Sequence, residues 1–272
     1  VRRLARRRLG HLSGSPRAVA DSGTPRVRLE WGPNGLRRLA PDAAVVVIVD
    51  VLSFTTSVDV ALGRGATVLP YRWHDGGEHD LAAAEGALVA GVGEAAAWTL
   101  RPATLVDLPA GTRLVLPSPN GSALSFGAAE AGAGVVLAGC LRNASAVAAA
   151  ALQLAGGPGG AGAISVIAAG ERWHGHTGPL RVALEDQLGA GAVLASLPED
   201  VLDDATPEAV AAADAFRAAS ARGLAGVLHG CASGLEKADR GQSADVDLAA
   251  CHDVSAVVPR LTGPAYVDAA TP

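Results

Sequence analysis

AAVVVIVDV, residues 43–51, is a continuous run of apolar and mostly β-branched residues closed by a carboxylate. Branched side chains fit a pleated surface, and a run without polar alternation fits a strand buried on both faces, as in a parallel sheet covered by helices. Asp50 marks the end of that strand. SFTTSVDVALGRG, residues 53–65, then offers Ser and Thr capping groups, a helical spacing of Val58, Ala61 and Leu62, and Gly63 and Gly65 to stop the helix. ATVLPY, residues 66–71, reads as the next strand and completes a β-α-β unit.

The same grammar recurs outward from this unit. VRLEWGPNGL (27–36) opens the ordered domain, and TRLVLPSPNGSALSFGAAEAG (112–132) gives strand, polar turn and helix. GVVLAGCLRNASAVAAAALQLAGG (134–157) does so again, and GAISVIAAGER (162–172) precedes a helix in RVALEDQLGAGAVLASL (181–197). Residues 207–241 read as mainly helical, and a short apolar run at Ser255 to Pro259 closes the chain. Repeated β-α units predict an α/β fold, three-layer α/β/α, with a largely parallel or mixed sheet. Residues 1–25, rich in Arg, Gly, Ser and Pro, read as a disordered basic extension, and 26–272 as a single α/β domain. LGRGA (62–66) and LGAGA (188–192) both read as helix ends, which leaves open two similar α/β halves.

Composition bounds the function classes. The 272 residues, 49% hydrophobic, suffice for a sizeable core, and a net charge of -5 gives no general reason to bind nucleic acid or an anionic membrane. The basic cluster VRRLARRRLG (1–10) reads as a solvated extension rather than a nucleic-acid arm. Cys140, Cys231 and Cys251 are too scattered for a disulfide framework or a CxxC knuckle, and they read as reduced, cytoplasmic thiols. No apolar stretch behind the basic start resembles a secretory signal, and the run 43–49 is far shorter than the roughly 20 residues of a membrane span. Lys237 is the only lysine, a bias read as base composition.

In open α/β sheets, ligands gather beyond the carboxyl ends of the strands. Four such ends are polar here: Asp50 with Ser53, Thr55 and Thr56; Ser118, Asn120, Gly121 and Ser122; Arg142, Asn143 and Ser145; and Gly170, Glu171 and Arg172. A carboxylate directly after a buried strand is costly to desolvate unless it binds a cation or accepts hydrogen bonds, so Asp50 leads the metal-ligand candidates. The bland reading is helix capping by Ser53 or Thr55. PSPNGSA (117–123) can present backbone amides to a phosphate, although neither it nor GGPGGAGA (156–163) has the GxxxxGK[ST] pattern. The histidines of HDGGEHD (74–80) read as a solvated acidic loop, and those of WHGH (173–176) as a substrate-side loop or solvated surface, without zinc spacing. There is no GxSxG elbow and no strand-end cysteine in a phosphate-cradling loop.

In order, VIVDVLSFTTSV, LVLPSPNGSAL, AGCLRNASAVA, the AAGER turn and ALEDQLGAGAVL resemble the 2-phosphosulfolactate phosphatase family, from about Arg28 to Pro259. The resemblance implies a magnesium-dependent phosphohydrolase acting on a small phosphorylated acid. It matches Asp50 to a strand-end aspartate, Asn120 and Gly121 to an Asn-Gly turn, Asn143 to an Asn-Ala pair, and Glu185 with Asp186 to a Leu-Glu-Asp run. Relatives commonly have Arg-Ala where this chain has Ser53-Phe54 and often Cys near Ala168. Their region before the Asn-Gly turn is longer, with Gly93, Glu94 and RPATL (101–105) as its remnant here. The expected catalytic set is Asp50, Asn120, Glu171 and Asp186, with Asp50 and Glu185 on Mg²⁺. Ser53, Thr55, Thr56, Ser118, Gly121, Ser122, Arg142, Asn143 and Arg172 are the expected substrate contacts. The rival reading is a catalytically silent relative that binds a small anionic metabolite. The partners expected are the substrate, no nucleic acid and no membrane, with a homo-oligomer left open.

Overall fold

A computed structural model describes residues 25–72, 75–93, 95–173 and 178–270. In chain order the first elements are β1 (Val27–Trp31), α1 (Gly32–Leu39), β2 (Ala43–Val49), α2 (Phe54–Gly63), β3 (Thr67–Tyr71), α3 (Gly77–Glu85) and β4 (Leu88–Val89). Next come β5 (Arg113–Pro117), α4 (Gly121–Glu130), β6 (Val135–Gly139), α5 (Ala144–Leu154) and β7 (Ala163–Ala168). A two-stranded ribbon, β8 (Glu171–Arg172) with β9 (Leu180–Arg181), leads into α6 (Leu184–Ala195), α7 (Glu199–Leu202) and α8 (Pro207–Ala221). The last elements are α9 (Leu224–Gly230), α10 (Ala232–Asp239), α11 (Ser243–Ala249), β10 (Pro259–Thr262) and β11 (Ala265–Asp268).

The nine-stranded sheet runs β1-β7-β2-β6-β10-β11-β3-β5-β4. β1, β7, β2 and β6 are mutually parallel, as are β3, β5 and β4; the antiparallel hairpin β10–β11 joins the two blocks. β2 shows why its run lacks polar alternation. Val45, Val47 and Val49 pack with α5, α6 and α8, while Val46 and Ile48 face Leu36, Leu124 and Ala128 of α1 and α4. Both faces are covered, which gives the expected three layers.

Two expectations are corrected. β2 and β3 are not sheet neighbours, because β6 and the hairpin lie between them: β2 pairs with β7 and β6, and the hairpin pairs with β6 and β3. LGAGA does not end a helix. It lies inside α6, where a Cβ at Gly191 would run into the Ala212 carbonyl of α8 and one at Gly189 would meet Val51 and Val49. Small residues there let α6 approach its neighbours closely. The extension 1–24, His74, Glu94, His174 and His176 lie outside the described residues. Among those described, no helix is long and apolar enough to cross a membrane.

Candidate active site

The chain leaves β2 through a turn built by its own hydroxyls. Thr55 Oγ1 accepts the Asp50 N–H at 3.1 Å and donates to the Asp50 carbonyl at 2.8 Å, and Thr56 Oγ1 donates to the Val51 carbonyl at 2.7 Å. Both threonines are fully buried, so they build the turn and do not face a ligand. Ser53 occupies the N-cap position of α2 without a capping bond. Among the described residues, its buried Oγ has no hydrogen-bond partner.

This turn aims Asp50 at the start of α4. Asp50 Oδ1 accepts the Phe54 N–H at 3.3 Å, and Oδ2 accepts the Gly121 N–H at 2.8 Å. Glycine is required at 121, because a Cβ there would enter the Phe54 ring and stand 2.8 Å from Asp50 Oδ2. Phe54 is fully buried and meets Tyr266 of β11 edge-on, with ring centroids 6.1 Å apart. Its side chain is therefore core. Of the Ser53-Phe54 pair, Ser53 alone reaches the site.

Strand direction alone would put the carboxyl ends of β2 and β5 on opposite sides of the sheet, yet the Asp50–Gly121 bond joins them.

Asp50, Ser53, Ser118, Asn120 and Glu171 line one cavity of about 180 Å³, together with Leu52, Leu100 and Pro119. The remaining wall is Ser233, Glu236, Lys237 and Arg240 of and just after α10. Asn120 Nδ2 donates to Glu171 Oε1 at 3.3 Å, and the Arg172 N–H donates to the same oxygen at 2.9 Å, which fixes Glu171. Burial, and after it the Glu171 carboxylate, push the Asp50 carboxyl up to about 7, against the opposing effect of its two amide donors. Burial likewise holds the Lys237 ammonium below the ordinary lysine range, with Asp245 opposing it.

The other expected residues stand around this cavity or away from it. Asp186 Oδ1 accepts the Val51 N–H at 2.7 Å and Oδ2 the Gly170 N–H at 2.8 Å, clamping the turn after β2 to the turn after β7. Burial, then Glu185, raise its proton affinity well above the usual carboxylate range. Glu185 is buried toward the start of α10, where the Cys231 thiol donates to its Oε2 at 3.5 Å. It does not line the cavity. Ser122 donates to the Leu116 carbonyl at 3.1 Å, and Arg172 turns its guanidinium to the Gly178 carbonyl at 3.0 Å.

Arg142 and Asn143 are not brought to Asp50's cavity. Arg142 Nε donates to Asp59 at 2.8 Å, and with Arg64 and Ser255 it lines a separate cleft of about 380 Å³. Asn143 Oδ1 accepts the Cys140 N–H at 2.9 Å, while its Nδ2 reaches the Val257 carbonyl at 3.3 Å, stitching the turn after β6 to the approach to β10.

Sequence reasoning missed the α10 wall. Its one signal was Lys237 itself, a single lysine in a chain whose other fixed positive charges are arginines.

The donors fit a hard cation. Asp50 and Glu171 line one small cavity, and burial, followed by the Glu171 carboxylate, disfavours a bare charge on Asp50. No cluster of three or more His, Cys, Asp or Glu side chains suited to a metal occurs among the described residues. Mg²⁺ commonly takes one or two carboxylates and completes its shell with water and substrate phosphate, whereas zinc needs a fuller protein set.

A family model described as 2-phosphosulpholactate phosphatase matches residues 35–264 of the chain's 272. A search of curated proteins found no match.

Proposed function

The chain belongs to the 2-phosphosulpholactate phosphatase family, and from that premise we propose that it hydrolyses a small phosphorylated hydroxy acid at the cavity between Asp50, Glu171 and α10. The observation that supports this reading best is the joining of two unlike charge environments in about 180 Å³: Asp50 and Glu171 on one wall, Lys237 and Arg240 on another.

Asp50 and Glu171 are the residues that would hold Mg²⁺. When bound, the cation polarises the phosphoryl oxygens and offsets the charge that develops on them. Phosphoryl transfer needs little covalent participation from the protein, so positioning and charge stabilisation supply most of the catalysis. Asn120 keeps the Glu171 carboxylate oriented, and the Gly121 N–H keeps Asp50 from rotating away. Asp186 acts at one remove, by holding the two turns that carry Asp50 and Glu171. Water attacks phosphorus, the P–O ester bond breaks, and the products are the hydroxy acid and inorganic phosphate.

The test is phosphate release from a panel of phosphorylated hydroxy acids, 2-phosphosulpholactate among them, with Mg²⁺ and with EDTA. Magnesium-dependent turnover is expected, with Asp50→Asn and Glu171→Gln each lowering kcat by about 100-fold or more, the range seen when one preorganised charge-stabilising group is removed. A folded wild-type protein that turns over none of the panel is the result that defeats the reading.

A further inference from the structure

Resting on the phosphatase reading above, we propose that Lys237, Arg240 and the Ser53 hydroxyl form a subsite for the substrate's second acid group, the carboxylate or sulfonate that is not transferred. The three side chains line the same cavity as Asp50 and Glu171 and come from two separate parts of the fold. Lys237 and Arg240 are three residues apart at the end of α10, a spacing that puts them on one side of the helix.

A structural role for Lys237 is the competing account. Its ion-pair partner is Asp245 of α11, at 3.7 Å, which is beyond hydrogen-bond reach. Asp245 is already served: Arg101 Nε donates to its Oδ2 at 2.9 Å and the Ala103 N–H to its Oδ1 at 3.1 Å. Among the described residues, the Lys237 ammonium thus makes no hydrogen bond to a carboxylate that is already served, and the residue lines the cavity. Ser53 supplies an independent indication. The residue lines the cavity, and its buried Oγ has no hydrogen-bond partner among the described residues, a state that costs free energy unless something satisfies it.

Charge arrangement assigns the ends. A bare acid group placed between Asp50 and Glu171 would face two carboxylates, whereas at α10 it faces an ammonium and a guanidinium. Glu236, the acidic residue on that wall, is drawn off by Arg181 at 3.3 Å. With a cation held by Asp50 and Glu171, the phosphoryl group would lie at the carboxylate wall, and the second acid at α10. Three-carbon acids match a cavity of about 180 Å³.

The decisive experiment compares two phosphate esters, 3-phosphoglycerate, which has a carboxylate, and glycerol 3-phosphate, which does not. It uses the wild type, Lys237→Ala, Lys237→Arg and Arg240→Ala. The proposal expects Lys237→Ala to lower kcat/KM at least 30-fold for the ester with a carboxylate, mainly through KM, but less than 3-fold for the one without, with Lys237→Arg recovering most of the loss. Equal losses on both esters, or no loss on either, overturn it. A second measurement needs no turnover: calorimetric binding of sulfoacetate, a dianion without a phosphoryl group, in EDTA. Binding by the wild type that weakens at least 10-fold in Lys237→Ala supports the subsite even if no ester is hydrolysed, a result that would defeat only the phosphatase reading. Sulfoacetate binding that the variants leave unchanged, or its absence from the wild type, overturns the subsite while phosphate release stands.

Discussion

Residue by residue, the site separates side chains that make the turns from side chains that face the cavity. Thr55, Thr56, Ser122 and Asn143 spend their polar groups on backbone partners, and Phe54 is core. Ser53 brings no charge to the cavity, but Lys237 and Arg240 place two cations on the wall of α10. The cysteines give a sharp check on this local environment. Burial, then Glu185, push the Cys231 thiol up to about 11, and burial raises Cys140 further, whereas Cys251 is exposed. In the native protein at pH 8, iodoacetamide is expected to modify Cys251 alone by mass spectrometry. The folded thiol of Cys231 keeps its proton while an unfolded one, with a pKa of about 8.5, loses it. Its contribution to stability is therefore complete below pH 8.5 and disappears as pH rises through 11. Labelling of Cys231 at pH 8 without unfolding would contradict the geometry.

Among the elements, the hairpin β10–β11 does most to support the site from a distance. Tyr266 of β11 is fully buried, its ring against Phe54 and its hydroxyl 2.7 Å from Ser125 Oγ, which in turn donates to the Gly121 carbonyl at 2.7 Å. The Asn-Gly turn is thus braced from both sides, by Asp50 at its N–H and by Ser125 at its carbonyl. Burial raises the Tyr266 phenol above the ordinary tyrosine range, so it remains a neutral donor. Tyr266→Phe keeps the ring contact and removes the hydroxyl, at an expected cost of about 1 kcal/mol in urea unfolding, typical of one net hydrogen bond. Activity is expected to fall only a few-fold, since Ser125 still holds Gly121. A loss of activity as large as that of Asp50→Asn would mean that Tyr266 acts in the chemistry itself.

Across the whole molecule, two parallel blocks would each expose an edge if they stood alone; the antiparallel hairpin closes both edges and completes one sheet. The cavity is a product of that closure. It gathers the ends of β2 and β5, the ribbon after β7, and the late helix α10. Binding of a cation to the folded state alone should therefore stabilise the whole domain. At about 100 times Kd the gain is about 2.7 kcal/mol, or about 5 °C or more in Tm at this chain length. Scanning calorimetry of EDTA-treated protein is expected to show that rise on adding Mg²⁺, with none in Asp50→Asn. An equal rise in the variant would remove Asp50 from the metal site.

The sequence by itself determined the layers and the strand ends. Apolar runs such as 43–49 carry their own burial, and the polar residues that interrupt them sit where strands stop, so Asp50, Asn120 and Glu171 were legible as candidates. Only the tertiary structure decided which strand ends meet. Strand order depends on which apolar edges pair: Gly121, which follows β5 five steps from β2, meets Asp50, whereas Arg142 and Asn143, which follow the neighbouring strand β6, turn to Asp59, Cys140 and Val257 instead. The cationic wall was hidden for the same reason. α10 reads as an ordinary polar helix, and its charges acquire meaning only where packing of α10 and α11 sets Lys237 across the cavity from Asp50, nearly two hundred residues away in the chain.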